Sequence, residues 1–333
     1  MAKVVVISRA GRASLPRAAV KAIEVRHEVV FAQRDLAPRP AETLALLGGA
    51  HVLASTNVTL PRLTDEILDR LPDLRHLVLY ATGYEHIDVT GLAGRGIGLS
   101  TLPEYATNAV AEHALGLLFA SATRIHLAND KARGRAPDSV SLRGVELTAR
   151  TLAVIGVGRI GTRLAELARG LGMRVVGVDI DAGAIARARR RGIPMLAMAA
   201  ALAEADGVAV TASTIPGTFP ILGPTELARL HRDVFVVNVG RPVLVDQEAI
   251  CRALTAGHLR GYAVDEVCFD PNNPLEGTLV DEGRVLQSAH SAWWRDEVLA
   301  RGAQMFAQAI AAAADGAPIQ VVSPALAAVG QAG

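Results

Sequence analysis

The chain has 333 residues, half of them hydrophobic, and a formal net charge of +1 at pH 7. This length allows two domains with separate cores. The near-neutral charge and the 4% of aromatic residues argue against a nucleic-acid partner. Two cysteines, Cys251 and Cys268, exclude a disulfide framework and a cysteine-based metal cluster, so no metal is expected.

Neither a leader nor a membrane segment is expected. The first residues run directly into an apolar strand without the layout of a signal peptide. The longest apolar stretch, 106–123, is interrupted by polar residues and predicts a buried helix instead of a membrane span. We therefore expect a cytoplasmic protein without membrane contact.

The first hundred residues alternate between strand and helix patterns. Strands are predicted at Val4–Ile7, His51–Ala54 and His76–Tyr80, separated by helical stretches such as Leu63–Leu71. This alternation is typical of a parallel sheet. From Thr107 to about Arg133 the pattern predicts one long helix.

A second series of strands and helices runs from Leu152 to about His290. The final helical segment, Trp293–Ala314, is too short for a domain and is expected to return to the first block. We therefore predict an α/β protein with two doubly wound parallel sheets. A discontinuous substrate domain would comprise residues 1–102 and 292–333, with a nucleotide-binding domain, 103–291, inserted into it.

A glycine-rich motif follows the first strand of the inserted domain. In Leu152–Gly161 an apolar run leads into G-V-G-R-I-G, and a helix pattern and a second strand follow. Gly156 allows a sharp turn, Gly158 lets the backbone approach a pyrophosphate, and Gly161 lets the helix pack close to the strand. The helix N-terminus would receive the pyrophosphate charge. The motif predicts a dinucleotide site at Gly156, Gly158, Arg159, Ile160 and Gly161.

An acid ends the second strand of this motif. Asp179 lies at roughly the 20-residue separation expected for a carboxylate that binds the adenosine ribose. A carboxylate there repels a 2′-phosphate, and the next residues, Ile180 and Asp181, provide no arginine to bind one. The sequence therefore favours NAD over NADP, with Asp181 the less favoured ribose partner.

Three later strands each end in a polar residue suited to acid–base chemistry. Arg241 follows Val236–Val239, acids follow Gly261–Val264, and His290 follows the last strand. In a parallel sheet these positions share the edge that carries the glycine loop. Hydride transfer between nicotinamide and a 2-oxo acid needs a proton donor, a cation for the carboxylate and an acid that orients the donor. The imidazole of His290 suits the proton step.

The order of these segments resembles the D-isomer-specific 2-hydroxyacid dehydrogenase family over almost the whole chain. The resemblance implies a Rossmann nucleotide domain inserted into a flavodoxin-like substrate domain, D stereochemistry and a homodimer. It also implies NAD as cofactor, a small anionic substrate and individual roles for matching residues. His290, Arg241 and Asp270 would be catalytic, and Asp265 would lie near the nicotinamide. The loop Ala81, Thr82 and Gly83 would bind the substrate carboxylate with Arg241, and Trp293 would lie over the substrate.

Several positions depart from the family pattern, including three beside the candidate catalytic residues. Asp270-Pro271 stands where the family has Glu-Pro, which makes the acid one methylene shorter, so Glu266 is the alternative acid. Alternation along a strand directs Glu266 away from Asp265, which favours Asp270. Pro242 follows Arg241 where glycine is usual, and Ala289 precedes His290 where proline is usual.

These observations predict an NAD-dependent oxidoreductase that transfers a hydride between nicotinamide and a small D-2-hydroxy acid or 2-oxo acid. Two alternatives remain open. The departures around Arg241 and Asp270 would also fit a phosphonate or phosphite-like anion. A corepressor-like protein that senses NAD(H) would bind the cofactor without turnover.

Overall fold

The structure, a computed structural model, describes residues 1–214 and 219–323. It divides into two compact units. Within the described residues, unit 1 contains Met1–Ala106 and residues 295–323, and unit 2 contains Thr107–Trp294. These boundaries lie a few residues further along the chain than the predicted ones, and the end of the predicted range 292–333 lies outside the described residues.

Unit 1 is built on a five-stranded parallel sheet with the order β2-β1-β3-β4-β5. The strands are β1 (Lys3–Ser8), β2 (Glu28–Gln33), β3 (Val52–Thr56), β4 (His76–Tyr80) and β5 (Gly98–Ser100). The central strands are apolar on both faces because helices cover both sides of a parallel sheet. The strand order is the flavodoxin-like one.

The helices of unit 1 connect these strands, and the last one returns from the end of the chain. They are α1 (Arg17–Glu24), α2 (Pro40–Leu47), α3 (Asp65–Leu68), α4 (Val89–Gly94) and α13 (Asp296–Ala314), with a short 3-10 helix at Gly11–Ser14. Helix α13 packs on β3 and β4 through a buried face that includes Val298, Phe306 and Ile310. This burial explains why the final helix belongs to the first block.

Unit 2 contains a six-stranded parallel sheet with the order β11-β10-β9-β8-β6-β7. Its strands are β6 (Thr151–Ile155), β7 (Arg174–Val178), β8 (Gly207–Val210), β9 (Val234–Asn238), β10 (Leu259–Val264) and β11 (Val285–Gln287). From β6 the chain adds β7 on one side of the sheet and then crosses back to add β8 on the other side, so the order of strands switches between β6 and β8. In an open α/β sheet, ligands bind outside the carboxyl ends of the strands at this switch point.

Eight helices are described in unit 2. They are α5 (Thr107–Thr123), α6 (Ile125–Ala132), α7 (Arg159–Gly170), α8 (Ala182–Arg190), α9 (Met198–Glu204), α10 (Pro224–Leu227), α11 (Gln247–Thr255) and α12 (Pro274–Asp281), with a 3-10 helix at Pro242–Leu244. Helix α5 packs against α7 and against β9 and β10. The predicted fold class, two doubly wound parallel sheets, is confirmed.

Two helix predictions were wrong in extent. The single helix predicted from Thr107 to about Arg133 is broken at Arg124, whose φ of 57° is left-handed and ends the helical hydrogen bonding. The guanidinium of Arg124 donates to the carbonyl of Glu282 (2.7 Å). Apolar periodicity continues across the break, so the pattern does not reveal it. The stretch Leu63–Leu71 contains only the single turn Asp65–Leu68.

Among residues 1–214 and 219–323, no helix combines the length and the apolar character that crossing a membrane requires.

A buried histidine makes unit 1 sensitive to acid. The His76 side chain lies 2.8 Å (Nε2) from the hydroxyl of Ser100, and burial lowers the pKa of His76 from 6.5 to about 4. In the unfolded chain the imidazole becomes protonated as the pH falls below about 6.5. In the folded unit it becomes protonated only when the pH falls to about 4. Stability therefore falls as pH is lowered from 6.5 towards 4, by up to about 3 kcal/mol.

We predict that His76→Gln flattens this pH dependence, because the amide keeps a polar partner for Ser100 but does not titrate. Urea unfolding at pH 7.5 and pH 5 measures the effect, with the exposed His86→Gln as the matched control. An equal loss of stability on acidification in wild type and His76→Gln would contradict the assignment.

Candidate active site

The glycine motif forms a tight turn between β6 and α7. Gly156 has a φ of 93°, and a Cβ there would lie 2.5 Å from the backbone nitrogen of Ala212. A Cβ on Gly161 would overlap the carbonyl oxygen of Gly156. Only glycine therefore fits at these two positions, and α7 starts directly against the end of β6.

Space for a ligand lies at the remaining glycine. Apart from Gly158 itself and its two chain neighbours, no atom of the described structure lies within 4 Å of the position that a Cβ on Gly158 would occupy. Gly158 is the N-cap of the 12-residue helix α7, whose first residues are Arg159 and Ile160. An open backbone position at a helix N-terminus fits a pyrophosphate. The turn is thus a cradle that suits a dinucleotide.

Asp179 lies beside this turn. One carboxylate oxygen of Asp179 accepts from the backbone nitrogen of Val157 (2.8 Å) and the other from that of Asp181 (2.9 Å). Each oxygen has a second lone pair available for a ribose hydroxyl. Asp181 caps α8 by accepting from the backbone nitrogen of Ala184, which agrees with its place as the less favoured ribose partner.

A second cluster lies at the carboxyl ends of β10 and β11, around the carboxylate of Asp265. The residue is buried, with 7% of its surface exposed. It accepts from the Ser288 hydroxyl (2.7 Å) and from the backbone nitrogens of Ser291 (2.9 Å) and Ala292 (3.1 Å to one oxygen, 3.2 Å to the other). Hydrogen bonds to a buried carboxylate are among the stronger ones in proteins. Asp265 therefore fixes both ends of the segment 288–292.

The residues between these anchor points form an unusual turn that carries His290. Ala289 and His290 have φ values of 51° and 55°, both in the left-handed region. Left-handed backbone is unfavourable by roughly 1–2 kcal/mol for each non-glycine residue. Proline cannot adopt such a φ, so Ala289 instead of the family's proline is a requirement of this turn. The hydrogen bonds to Asp265 offset the strain.

The turn places the His290 imidazole next to Glu266. The distance from His290 Nδ1 to Glu266 Oε1 is 2.9 Å, with the imidazole half exposed and the carboxylate more buried. A carboxylate at Nδ1 orients the ring, stabilises the imidazolium and leaves Nε2 for proton transfer. The structure therefore contains a histidine–carboxylate pair of the kind that acid–base catalysis requires.

The prediction that Asp270 partners His290 is corrected by this geometry. Asp270 is exposed, and its carboxylate accepts from the backbone nitrogen (2.8 Å) and the amide of Asn272 (3.1 Å). Its own backbone nitrogen donates to Glu276 at the start of α12 (2.7 Å). Strand alternation does not extend to Glu266, because β10 ends at Val264 and Glu266 already lies in a turn.

Cys268 lies near the same acid. Burial, followed by the carboxylates of Glu266 and Glu276, raises the pKa of the Cys268 thiol to about 11. The thiol is therefore protonated at pH 7, and this environment disfavours the reactive thiolate.

Arg241 lies after β9 at the same edge of the sheet. Its carbonyl accepts from the amide of the buried Asn238 (2.8 Å), and its guanidinium donates to the carbonyl of Gly240 (3.0 Å). Pro242 is the first residue of the short 3-10 helix that follows. At that position a missing N–H breaks no intrahelical bond, so this departure from the family pattern fits the local structure.

The other predicted substrate residues lie elsewhere in the chain. Ala81, Thr82 and Gly83 follow β4 in unit 1, where the Thr82 hydroxyl donates to the carbonyl of Leu102 (2.9 Å). Trp293 is half-buried near the end of unit 2 and makes an edge-to-face contact with the exposed Trp294 (5.0 Å between ring centroids). Their roles in substrate binding stay predictions.

Sequence reasoning missed two members of the cluster. Ser288 and His113 lie together, with His113 Nε2 2.8 Å from the Ser288 hydroxyl and 3.4 Å from Asp265. In the sequence His113 lies within a predicted helix and not at the end of a strand, where Arg241 and His290 stand, so the pattern gives it no functional role. Its only signal is a polar side chain within the apolar face of α5.

Comparison with known proteins identifies the family. The model for the NAD-binding domain of the D-isomer-specific 2-hydroxyacid dehydrogenases matches residues 115–292. A glyoxylate reductase from Korarchaeum cryptofilum is 32% identical over 250 residues, which cover 73% of this chain and 74% of that protein. A glyoxylate reductase from Aeropyrum pernix is 30% identical over 297 residues, covering 84% of each chain.

Among solved structures, the TT0316 protein from Thermus thermophilus superposes with a TM-score of 0.79 at 29% identity, covering 96% of this chain and 100% of that one. The chain belongs to the D-isomer-specific 2-hydroxyacid dehydrogenase family. It is an enzyme of this family with NAD as its cofactor. These findings confirm the resemblance, the enzyme class and the cofactor that the sequence predicts.

We predict that Asp179→Ala weakens NADH binding about tenfold or more and shifts the preference towards NADPH. The change removes a charged hydrogen-bond acceptor for the ribose and the repulsion of a 2′-phosphate. Fluorescence titration with both cofactors measures the two dissociation constants. Asp181→Ala, which removes the same charge two residues away, is the matched control and keeps the NADH preference. An unchanged preference in Asp179→Ala would refute the ribose role.

Proposed function

We propose that this enzyme interconverts a small 2-oxo acid and the corresponding D-2-hydroxy acid, with His290 as the proton donor and acceptor. The observation that carries the proposal is the His290–Glu266 pair at the carboxyl edge of the sheet that holds the glycine turn. Bound NADH supplies the hydride. The residues of the chain then have to bind the acid group, hold the carbonyl and provide one proton.

The proton comes from Nε2 of His290. Its Nδ1–H donates to the Glu266 carboxylate, which holds the ring plane and stabilises the positive charge before transfer. Donation of the Nε2 proton to the carbonyl oxygen leaves a neutral imidazole, and solvent returns the proton to the half-exposed ring. In the oxidative direction the same nitrogen accepts the hydroxyl proton.

Arg241 is proposed to bind the substrate carboxylate and polarise the carbonyl. A guanidinium matches the planar geometry of a carboxylate with two parallel hydrogen bonds. Asn238 supports this role because it fixes the backbone turn on which Arg241 stands, through the Arg241 carbonyl and the backbone nitrogen of Gly240 (3.0 Å). Ala81, Thr82, Gly83 and Trp293 stay candidate substrate contacts on the family resemblance.

We also propose a homodimer formed through unit 2. The family resemblance implies it, and unit 2 exposes Phe119, Ile125 and Leu142 on α5, α6 and the following loop. A protein–protein contact would need such side chains to form one contiguous apolar patch, because single exposed apolar residues are common on monomers. Light scattering that detected only monomer would contradict the dimer.

The test of the function is loss of NADH absorbance with glyoxylate, hydroxypyruvate, pyruvate, bulkier 2-oxo acids and phosphono analogues. We expect turnover on the carboxylates and its loss in His290→Ala, with a fall of about 100-fold or more. Turnover confined to the phosphorus analogues would favour the phosphonate alternative. NADH binding without any turnover would favour the corepressor-like alternative.

A matched pair of variants separates the two candidate acids. Glu266→Gln should lower kcat by about tenfold or more because the amide cannot stabilise the imidazolium, whereas Asp270→Asn should stay near wild type. Both changes neutralise one carboxylate with little change in volume. If Asp270→Asn were the impaired variant, the structural pairing of His290 would be refuted and the family-based assignment restored.

A further inference from the structure

The segment that carries His290 is held by a chain of three polar side chains from separate elements. His113 lies on α5, Ser288 follows β11 and Asp265 follows β10. Their polar atoms are 2.8 Å apart between His113 Nε2 and Ser288 Oγ, and 2.7 Å apart between Ser288 Oγ and Asp265 Oδ1. Both His113 and Asp265 are largely buried, with side chains 14% and 8% exposed.

The chemistry of the three groups fixes the direction of the hydrogen bonds. An ionised carboxylate only accepts, so the single hydroxyl hydrogen of Ser288 points to Asp265. The same oxygen must then accept from His113, which places a hydrogen on Nε2 of that ring. If Nε2 carried no hydrogen, the single hydroxyl hydrogen of Ser288 could serve only one of its two neighbours. The other contact, either to His113 Nε2 at 2.8 Å or to Asp265 Oδ1 at 2.7 Å, would then join two acceptors with no hydrogen between them. The network therefore assigns the Nε2–H form to His113.

Asp265 Oδ1 is the common point of this chain and the strained turn. It accepts from Ser288 and from the backbone nitrogen of Ser291, on either side of the left-handed residues Ala289 and His290. Rotation of the Ser288 hydroxyl away from Asp265 would release the attachment on the N-terminal side of these residues and leave the backbone bonds of Ser291 and Ala292 on the other side. The N–H of His113 opposes that rotation because it occupies the acceptor side of the hydroxyl.

We propose that His113 is a positioning residue that holds the His290 turn in its reactive conformation through Ser288 and Asp265. The proposal rests on the proposed function, because the reactive conformation is the one that pairs His290 with Glu266. Helix α5 suits this role. Its buried face, which includes Ala111, Ala114 and Leu118, fixes it on the sheet that carries β10 and β11.

The kinetic test compares two substitutions of His113. His113→Leu fills a similar volume without a donor, whereas His113→Gln places an amide N–H at the reach of Nε2. We expect His113→Leu to lower kcat on the best 2-oxo acid about tenfold or more. Even a small displacement of a catalytic group such as His290 lowers the reaction rate by this amount. The dissociation constant for NADH should change less than about twofold, since binding does not use His290. His113→Gln should recover most of the lost kcat.

The matched control is His231→Leu, the same substitution at a half-exposed histidine elsewhere in unit 2. A kcat within about twofold of wild type in His113→Leu would overturn the proposal. So would an equal loss of kcat in His113→Leu and His113→Gln together with a lowered Tm in both, since a purely structural role predicts no rescue by the donor.

A second measurement does not depend on turnover. In protein labelled with ¹⁵N-histidine, the ring resonances should show His113 in the Nε2–H form, with a slowly exchanging proton whose exchange accelerates in Ser288→Ala. An Nδ1–H form, or an exchange rate unaffected by Ser288→Ala, would overturn the hydrogen-bond chain. If wild type reduced no 2-oxo acid, the proposed function would fail, and the ring resonances alone would decide whether His113 holds the turn.

Discussion

The buried carboxylate of Asp265 is the interaction on which the geometry of the candidate site depends. It binds the Ser288 hydroxyl and two backbone nitrogens, of Ser291 and Ala292, and so closes the turn between them. Two consecutive left-handed residues are unfavourable by a few kcal/mol, comparable to the contribution of hydrogen bonds to a buried charge. The turn and its anchor therefore have to be considered as one unit, and His290 takes its orientation from both.

The same principle recurs at the neighbouring strand ends. Asn238 binds both sides of the turn that carries Arg241, and Gln287 accepts from the backbone nitrogens of Cys268 and Phe269 (2.7 and 2.8 Å). Parallel strands end with backbone groups that lack a partner strand to bind them, and these side chains satisfy the groups and fix the turns. The candidate reactive residues thus lie on turns, and polar side chains at the ends of the strands fix the orientation of these turns.

Much of this arrangement could be predicted from the sequence. Strand and helix periodicity predicts two parallel sheets, and the glycine motif followed by Asp179 predicts the cofactor, because both are local patterns. The partner of His290 could not be predicted, since Glu266 and Asp270 both follow β10 and only the path of the turn decides which one reaches the imidazole. The contact between His113 and Ser288 joins residues far apart in sequence, so no local pattern reveals it. The break at Arg124 escaped prediction because it does not interrupt the apolar pattern.

The central claim is that Asp265 acts on the reaction through the His290 turn, whereas the family resemblance places it near the nicotinamide. The most direct test measures kcat and the NADH dissociation constant of Asp265→Asn, which keeps the side-chain shape but replaces one accepting oxygen with a donor. We expect kcat to fall about tenfold or more, and the NADH dissociation constant to change less than about twofold. Weakened NADH binding with kcat retained would contradict it and make Asp265 a direct cofactor contact.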